Sequence, residues 1–153
     1  MKITEFLSPD AVIGSLDARE KKDVLEELCR PLAARNPQYT AERLREVLED
    51  REKLGSTGIG EGVAIPHGKL PGLPALTGTF GRSVEGVDFE AIDGKPTHLF
   101  FALFAPENSA GIHLKALARI SRLFKNAQLR NAILKASDER EIFRLIADED
   151  AKY

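Results

Sequence analysis

The chain of 153 residues has one cysteine and no tryptophan. With Cys29 alone it has no internal disulfide and no multi-cysteine zinc site, so an apolar core must carry its stability. It has no basic excess either. Lys and Arg total 22 against 24 Asp and Glu, which removes the electrostatic footprint of a nucleic-acid-binding surface. No apolar run approaches the roughly 20 residues that cross a bilayer. The opening MKITEFLSPD lacks the charged head and long apolar segment of a signal peptide. Internal repeats, low-complexity tracts and linkers are missing too. These absences predict one domain over residues 1–153, located in a reducing cytoplasm, with no membrane insertion and no nucleic acid among its partners.

What is present is ordinary in bulk, with 42% hydrophobic residues, and informative in its periods. Asp17 and Glu20 have capping-box spacing and predict a helix start, followed by the stripe Leu25, Leu28 and Leu32, with Pro31 as a kink or restart. A second helix is expected from near Thr40 to Gly55, with Leu44, Val47, Leu48 and Leu54 on its apolar side. The period then changes to two. Val63 and Ile65 suggest a short strand, and Leu76 to Val84 a longer one. HLFFALFA, from His98 to Ala105, is apolar on both faces, as befits a central strand covered on both sides, and Pro106 ends it. Asp93-Gly94 marks a turn before it. Helical spacing returns with Leu114, Leu117, Ile120, Ser121 and Phe124, then with Leu129, Ile133 and Leu134. A last helix, capped by Ser137, turns Ile142, Phe143 and Ile146 inward. The order helices, strands, helices predicts an α/β (α+β) fold, a three-layer sandwich with a mixed β-sheet flanked by α-helices.

The chemistry concentrates in GSTGIGEGVAIPHGK, from Gly55 to Lys69. A nucleotide-triphosphate loop needs Lys after its second glycine, and Glu61 stands there. The dinucleotide fingerprint begun at Gly58 and Gly60 needs a third glycine where Val63 stands. No G-x-S-x-G elbow surrounds Ser56. Three histidines, His67, His98 and His113, have no close helical spacing for a metal, although distant residues can converge. The remaining reading makes histidine itself reactive. A neutral imidazole attacks a phosphoryl group and holds it as a labile phosphoramidate. His67 is expected in a turn after Pro66, with Gly68 allowing close approach; a plain surface histidine is the competing reading.

Two further positions bear on this choice. Arg51 follows Leu44 and Leu48 on the apolar side of its helix, where a guanidinium either snorkels outward or meets an anion. His113 shares a helical face with Leu117, Ile120 and Phe124, near a helix start that favours anions over imidazolium. A satisfied core histidine is the alternative there. His98 heads the apolar strand and reads as structural, and Cys29 as a small core residue.

At these residues the sequence resembles a known family. REKLGSTGIGEGVAIPHGK, from Arg51 to Lys69, is similar to the phosphorylation-site segment of enzyme IIA of the bacterial phosphoenolpyruvate-dependent phosphotransferase system (PTS), mannitol/fructose type. The likeness is strongest to the nitrogen-regulatory branch. Glu52, Ile59-Gly60 and Val63-Ala64-Ile65-Pro66-His67-Gly68 fall where the family signature places them, and the resemblance continues into HLKALARIS from His113 to Ser121. It implies that His67 is the phosphoacceptor, through Nε2, and that Arg51 and His113 line its pocket. It implies an HPr-like phosphocarrier as donor, charged by an enzyme I homologue, and no metal or organic cofactor. It also implies regulatory targets such as potassium-transport proteins or sensor kinases. Backbone at Gly68 is expected to add N–H donors for the phosphate, and Ser56 and Thr57 hydroxyls. Two rival functions remain: a sugar-specific fructose or mannitol IIA subunit serving a separate IIB, and a non-catalytic anion-sensing module.

Overall fold

The computed structural model describes residues 1–153. Two short 3₁₀ turns, Ile3–Glu5 and Pro9–Ala11, lead into β1 (Val12–Ile13), α1 (Lys21–Arg35) and α2 (Ala41–Glu52). Then come β2 (Gly58–Gly60), β3 (Val63–Ala64), β4 (His67–Leu70), β5 (Thr77–Val87) and β6 (Thr97–Pro106). Three helices close the chain: α3 (Ala110–Phe124), α4 (Ala127–Lys135) and α5 (Glu139–Asp150).

β6 organises the rest. Its alternating side chains enter two different cores, as the strand period of two requires. Leu99, Phe101 and Leu103 pack with Phe80 and with Ile120, Phe124, Ile133, Ile142 and Ile146 of α3, α4 and α5. Phe100, Ala102 and Phe104 pack on the opposite side with Leu25, Leu28, Leu44 and Leu48 of α1 and α2. The sheet is therefore the middle layer of a three-layer sandwich, as its sequence period predicted. It is mixed: β5 is antiparallel to β6, β1 is parallel to β5, and β3 and β4 are parallel to β6. β2 runs antiparallel to β3 at the sheet margin.

β3 and β4 lie along the same side of β6, with Val63 opposite Leu99 and His67 opposite Leu103. Ile65 and Pro66 interrupt them. Pro66 has no N–H for the ladder, although its carbonyl accepts from the Leu103 N–H at 2.9 Å.

Several local expectations change. α1 begins at Lys21, and neither Asp17 nor Glu20 caps it with a side chain; instead Glu27 accepts from the Asp17 and Ala18 backbone N–H groups at 3.0–3.1 Å. Pro31 sits inside α1 without ending it. Asp138, not Ser137, caps α5, accepting from the Glu141 N–H at 2.9 Å. Thr40 caps α2 as expected, accepting from Arg43 N–H at 3.0 Å. Leu54, Leu114 and Leu134 are exposed rather than packed inside.

Candidate functional site

β4 pairs only with β6, so its other edge carries no strand. The register decides what surrounds that edge. His67 stands opposite Leu103, whose side chain belongs to the α3–α5 core, so His67 faces α3. Gly68 stands opposite Phe104 and faces α2. A Cβ on Gly68 would come within 2.5 Å of Val47 Cγ1, closer than carbon atoms pack. The missing side chain is what lets α2 lie on β4. That contact carries Arg51, one turn beyond Val47, to the same edge as His67.

From the other layer α3 brings His113. The His67 and His113 rings meet edge to face, with centroids 5.4 Å apart at 80°. Arg51, His67, Gly68, Lys69 and His113 line one open depression of about 610 Å³. Three residues singled out in sequence by separate arguments thus converge at one sheet edge. His67 is not in a free turn, as expected from Pro66 and Gly68, but half-buried at the start of a strand.

The hydrogen bonds of the two rings are unequal. His67 Nδ1 lies 2.8 Å from the Ile65 carbonyl oxygen, an acceptor, so Nδ1 carries the proton and Nε2 keeps its lone pair. His113 Nε2 is buried and has no partner in the protein. A buried polar atom without a partner is costly unless something else completes it. Both imidazoles are held below their ordinary pKa. For His67, burial is the main cause; the Arg51 charge also lowers it, opposed by the Ile65 carbonyl and by Glu52. For His113, burial leads again, followed by His67 and Lys69. Nucleophilic attack needs a neutral ring, and a neutral imidazole can still donate one hydrogen bond from the nitrogen that carries its proton.

The remaining expected contacts do not gather here. Ser56 Oγ donates to the Phe89 carbonyl at 2.8 Å and accepts from Gly58 N–H at 3.0 Å, so its hydroxyl is engaged away from the depression. The Thr57 hydroxyl is spent on the Glu52 carboxylate. Both are loop-shaping groups, contrary to the phosphate contacts expected of them. Arg51 Nη1 donates to the Gly55 carbonyl at 2.9 Å, a bond on the exposed side. His98 is structural as read, with Nδ1 2.9 Å from the Ser83 carbonyl oxygen. Lys69 was missed. Recognising it required knowing that 67–70 is a strand, which puts residues 67 and 69 on one face.

No helix is long and apolar enough to cross a membrane. Residues 5–149 match the family described as "Phosphoenolpyruvate-dependent sugar phosphotransferase system, EIIA 2". A nitrogen regulatory protein of Bradyrhizobium diazoefficiens is 43% identical over 150 residues, covering 96% of this chain and 95% of that protein. The fructose-specific EIIABC component of Bacillus subtilis is 38% identical over 98% of this chain, which spans 24% of that longer protein. Among solved structures, the nitrogen regulatory protein IIA-Ntr of Neisseria meningitidis superposes with a TM-score of 0.88 at 38% identity, covering 94% of this chain and 98% of that one. The chain belongs to the EIIA type-2 family of the phosphoenolpyruvate-dependent phosphotransferase system, and along nearly its whole length it is similar to the family's nitrogen regulatory proteins.

Proposed function

We propose that this chain is a cytoplasmic phosphohistidine relay and regulatory subunit, taking a phosphoryl group from an HPr-like carrier onto His67 Nε2. The observation that carries this reading is the pair of unengaged histidine nitrogens at one depression. His67 is anchored through Nδ1, leaving Nε2 as nucleophile, and His113 offers a buried Nε2 without a protein partner. In the transfer, the N–P bond of the carrier's phosphohistidine breaks as the bond from phosphorus to His67 Nε2 forms. The carrier imidazole leaves with the electron pair. The His67 ring gains positive character, and the Ile65 carbonyl that holds its Nδ1 proton stabilises this. Arg51 and Lys69 offset the phosphoryl charge, and His113 donates one hydrogen bond to a phosphoryl oxygen. Backbone at Gly68 borders the same space.

Regulation then follows from surface chemistry. A group of charge near −2 placed among Arg43, Arg51 and Lys69, with Asp50 beside them, cancels the net positive charge of the depression, so partners that fit one state reject the other. The full-length likeness to nitrogen regulatory proteins supports this role, with an enzyme I homologue upstream and transport proteins or sensor kinases as candidate targets. A second reading rests on the Bacillus fructose-specific relative: a sugar-specific subunit that passes the group to a separate IIB.

Reconstitution separates these. With phosphoenolpyruvate, the cognate enzyme I homologue and its HPr-like carrier, the chain becomes labelled, and His67→Ala abolishes labelling. Chase of the label onto a fructose- or mannitol-type IIB at a rate matching its loading favours the transport reading. Retention of the label favours the regulatory one. Failure of the wild-type chain to take label from any carrier overturns both.

A further inference from the structure

A buried carboxylate stands at the head of a run of hydrogen bonds that ends on His67. Glu52 closes α2, with a side chain only 6% exposed, and it does not line the depression. Its carboxylate accepts from the Thr57 backbone N–H at 3.1 and 3.2 Å, from the Thr57 hydroxyl, and from Lys21 Nζ at 2.9 Å. Lys21 in turn lies over the Phe89 ring, 4.6 Å from its centre. The Thr57 carbonyl accepts from the Ile65 N–H at 3.0 Å, and the Ile65 carbonyl accepts from His67 Nδ1 at 2.8 Å.

We infer that Glu52, held by Lys21, is a positioning residue: by anchoring Thr57 it fixes Ile65, whose carbonyl locks the His67 imidazole with its proton on Nδ1. The need for such an anchor is written in the chain between them. Four of the eight residues from Gly55 to Gly62 are glycine, and Gly55, Gly60 and Gly62 have positive φ values of 139°, 90° and 76°. Backbone this permissive does not hold a position by itself. A buried carboxylate with three donors does, because releasing it strands both its charge and those donors. Pro66 completes the arrangement. It restricts Ile65 to extended backbone and supplies no competing N–H. Glu52 therefore acts at a distance, through backbone, on which nitrogen of His67 is the nucleophile.

This inference rests on the reading of His67 as phosphoacceptor, and its test reads the ring without any phosphoryl donor. The tautomer is visible in the ¹⁵N and ¹H spectrum of the imidazole at a pH where it is neutral. The wild-type chain is expected to show a single form, protonated on Nδ1. Lys21→Met/Glu52→Leu removes the anchor while leaving no unpaired buried charge, since Glu90, the other partner of Lys21, is exposed. It is expected to give a mixture of both tautomers and a single-turnover transfer rate lower by about tenfold or more, the scale of displacing a nucleophile through a distant contact. Glu52→Gln keeps an acceptor oxygen for Thr57 N–H and is expected to restore the single tautomer and most of the lost rate. A single Nδ1–H form in the leucine variant overturns the proposal. So does a glutamine variant as impaired as the leucine one, since charge rather than anchorage would then be operative. One measurement needs no variant at all: the Thr57 and Ile65 amide protons should exchange as slowly as those of the β5–β6 ladder. Fast exchange at both refutes the anchor.

Discussion

His67 and His113 are both neutral at the pH of a cell because burial disfavours their charged forms. The consequence for stability has a definite sign. In the unfolded chain both rings bind a proton at the ordinary value of about 6.5, whereas in the folded chain they resist it. The fold keeps its full stability above that value and loses it as the pH falls through 6.5 toward the depressed folded values. Thermal melts of His67→Asn/His113→Asn should therefore show a shallower drop between about pH 7.5 and 5.5 than the wild-type chain. An equal or steeper drop would contradict the assigned burial effect. Catalytically, His113 is expected to act as a donor. Removing one donor aimed at developing charge costs about 2.7–4 kcal/mol, a hundred- to thousandfold in rate. His113→Gln keeps an N–H and should transfer faster than His113→Ala in single-turnover kinetics; equal rates exclude the donor role. Arg51→Leu separates function from stability. Its bond to the Gly55 carbonyl lies on the exposed side, so about 1 kcal/mol or less is lost with it, worth a few degrees in Tm, while transfer falls strongly.

Among the elements, the approach of α2 to β4 is the contact on which the site depends. Gly68→Ala drives a methyl group into Val47 Cγ1, and a β-branched side chain has little freedom to move aside. Overpacking of this kind costs about 1–3 kcal/mol, and any outward shift of α2 takes Arg51 away from His67. Val47→Ala in the same chain should recover both the melting temperature and the transfer rate of Gly68→Ala. No recovery would show that Gly68 serves through its backbone alone.

The same elements show what was legible in the sequence. Long elements with a clear period could be read directly: β6 from its two-faced apolar run, and α2 from Thr40 and its leucines. β2 and β4 could not, because segments of three or four residues are too short to carry a detectable alternation, and two of the three residues of β2 are glycine. Arg51 and His113 were visible as polar groups placed on apolar helix faces, and His67 as the imidazole that ends the glycine-rich segment after Pro66. Lys69 and the positioning contact of Glu52 depend on strand register and on a loop's path, and neither is a periodic property of the chain. The Asp17/Glu20 spacing misled for a physical reason. Glu27 already satisfies the N–H groups at 17 and 18 from inside α1, so the chain there is pinned in an extended approach and the helix starts later.

At the scale of the molecule, the sandwich places the site where all three layers meet an open sheet edge. One helical layer contributes Arg51, the sheet contributes His67, and the other helical layer contributes His113. A second protein can reach that edge without any element opening. Under the proposed function, phosphorylation of His67 would change charge at a surface rather than shape in a core, which would suit a protein read by its partners in two states. The proposed function depends on one contact: the Ile65 carbonyl holds Nδ1, which leaves Nε2 as the ring nitrogen with a free lone pair. The direct test is the attachment site of the phosphoryl group after reconstitution with phosphoenolpyruvate, the enzyme I homologue and the carrier, read from ³¹P–¹⁵N coupling in the labelled ring. The account predicts an acid-labile, alkali-stable adduct on Nε2 of His67. A phosphoryl group on Nδ1, on His113, or on a protein still labelled as His67→Ala would contradict it.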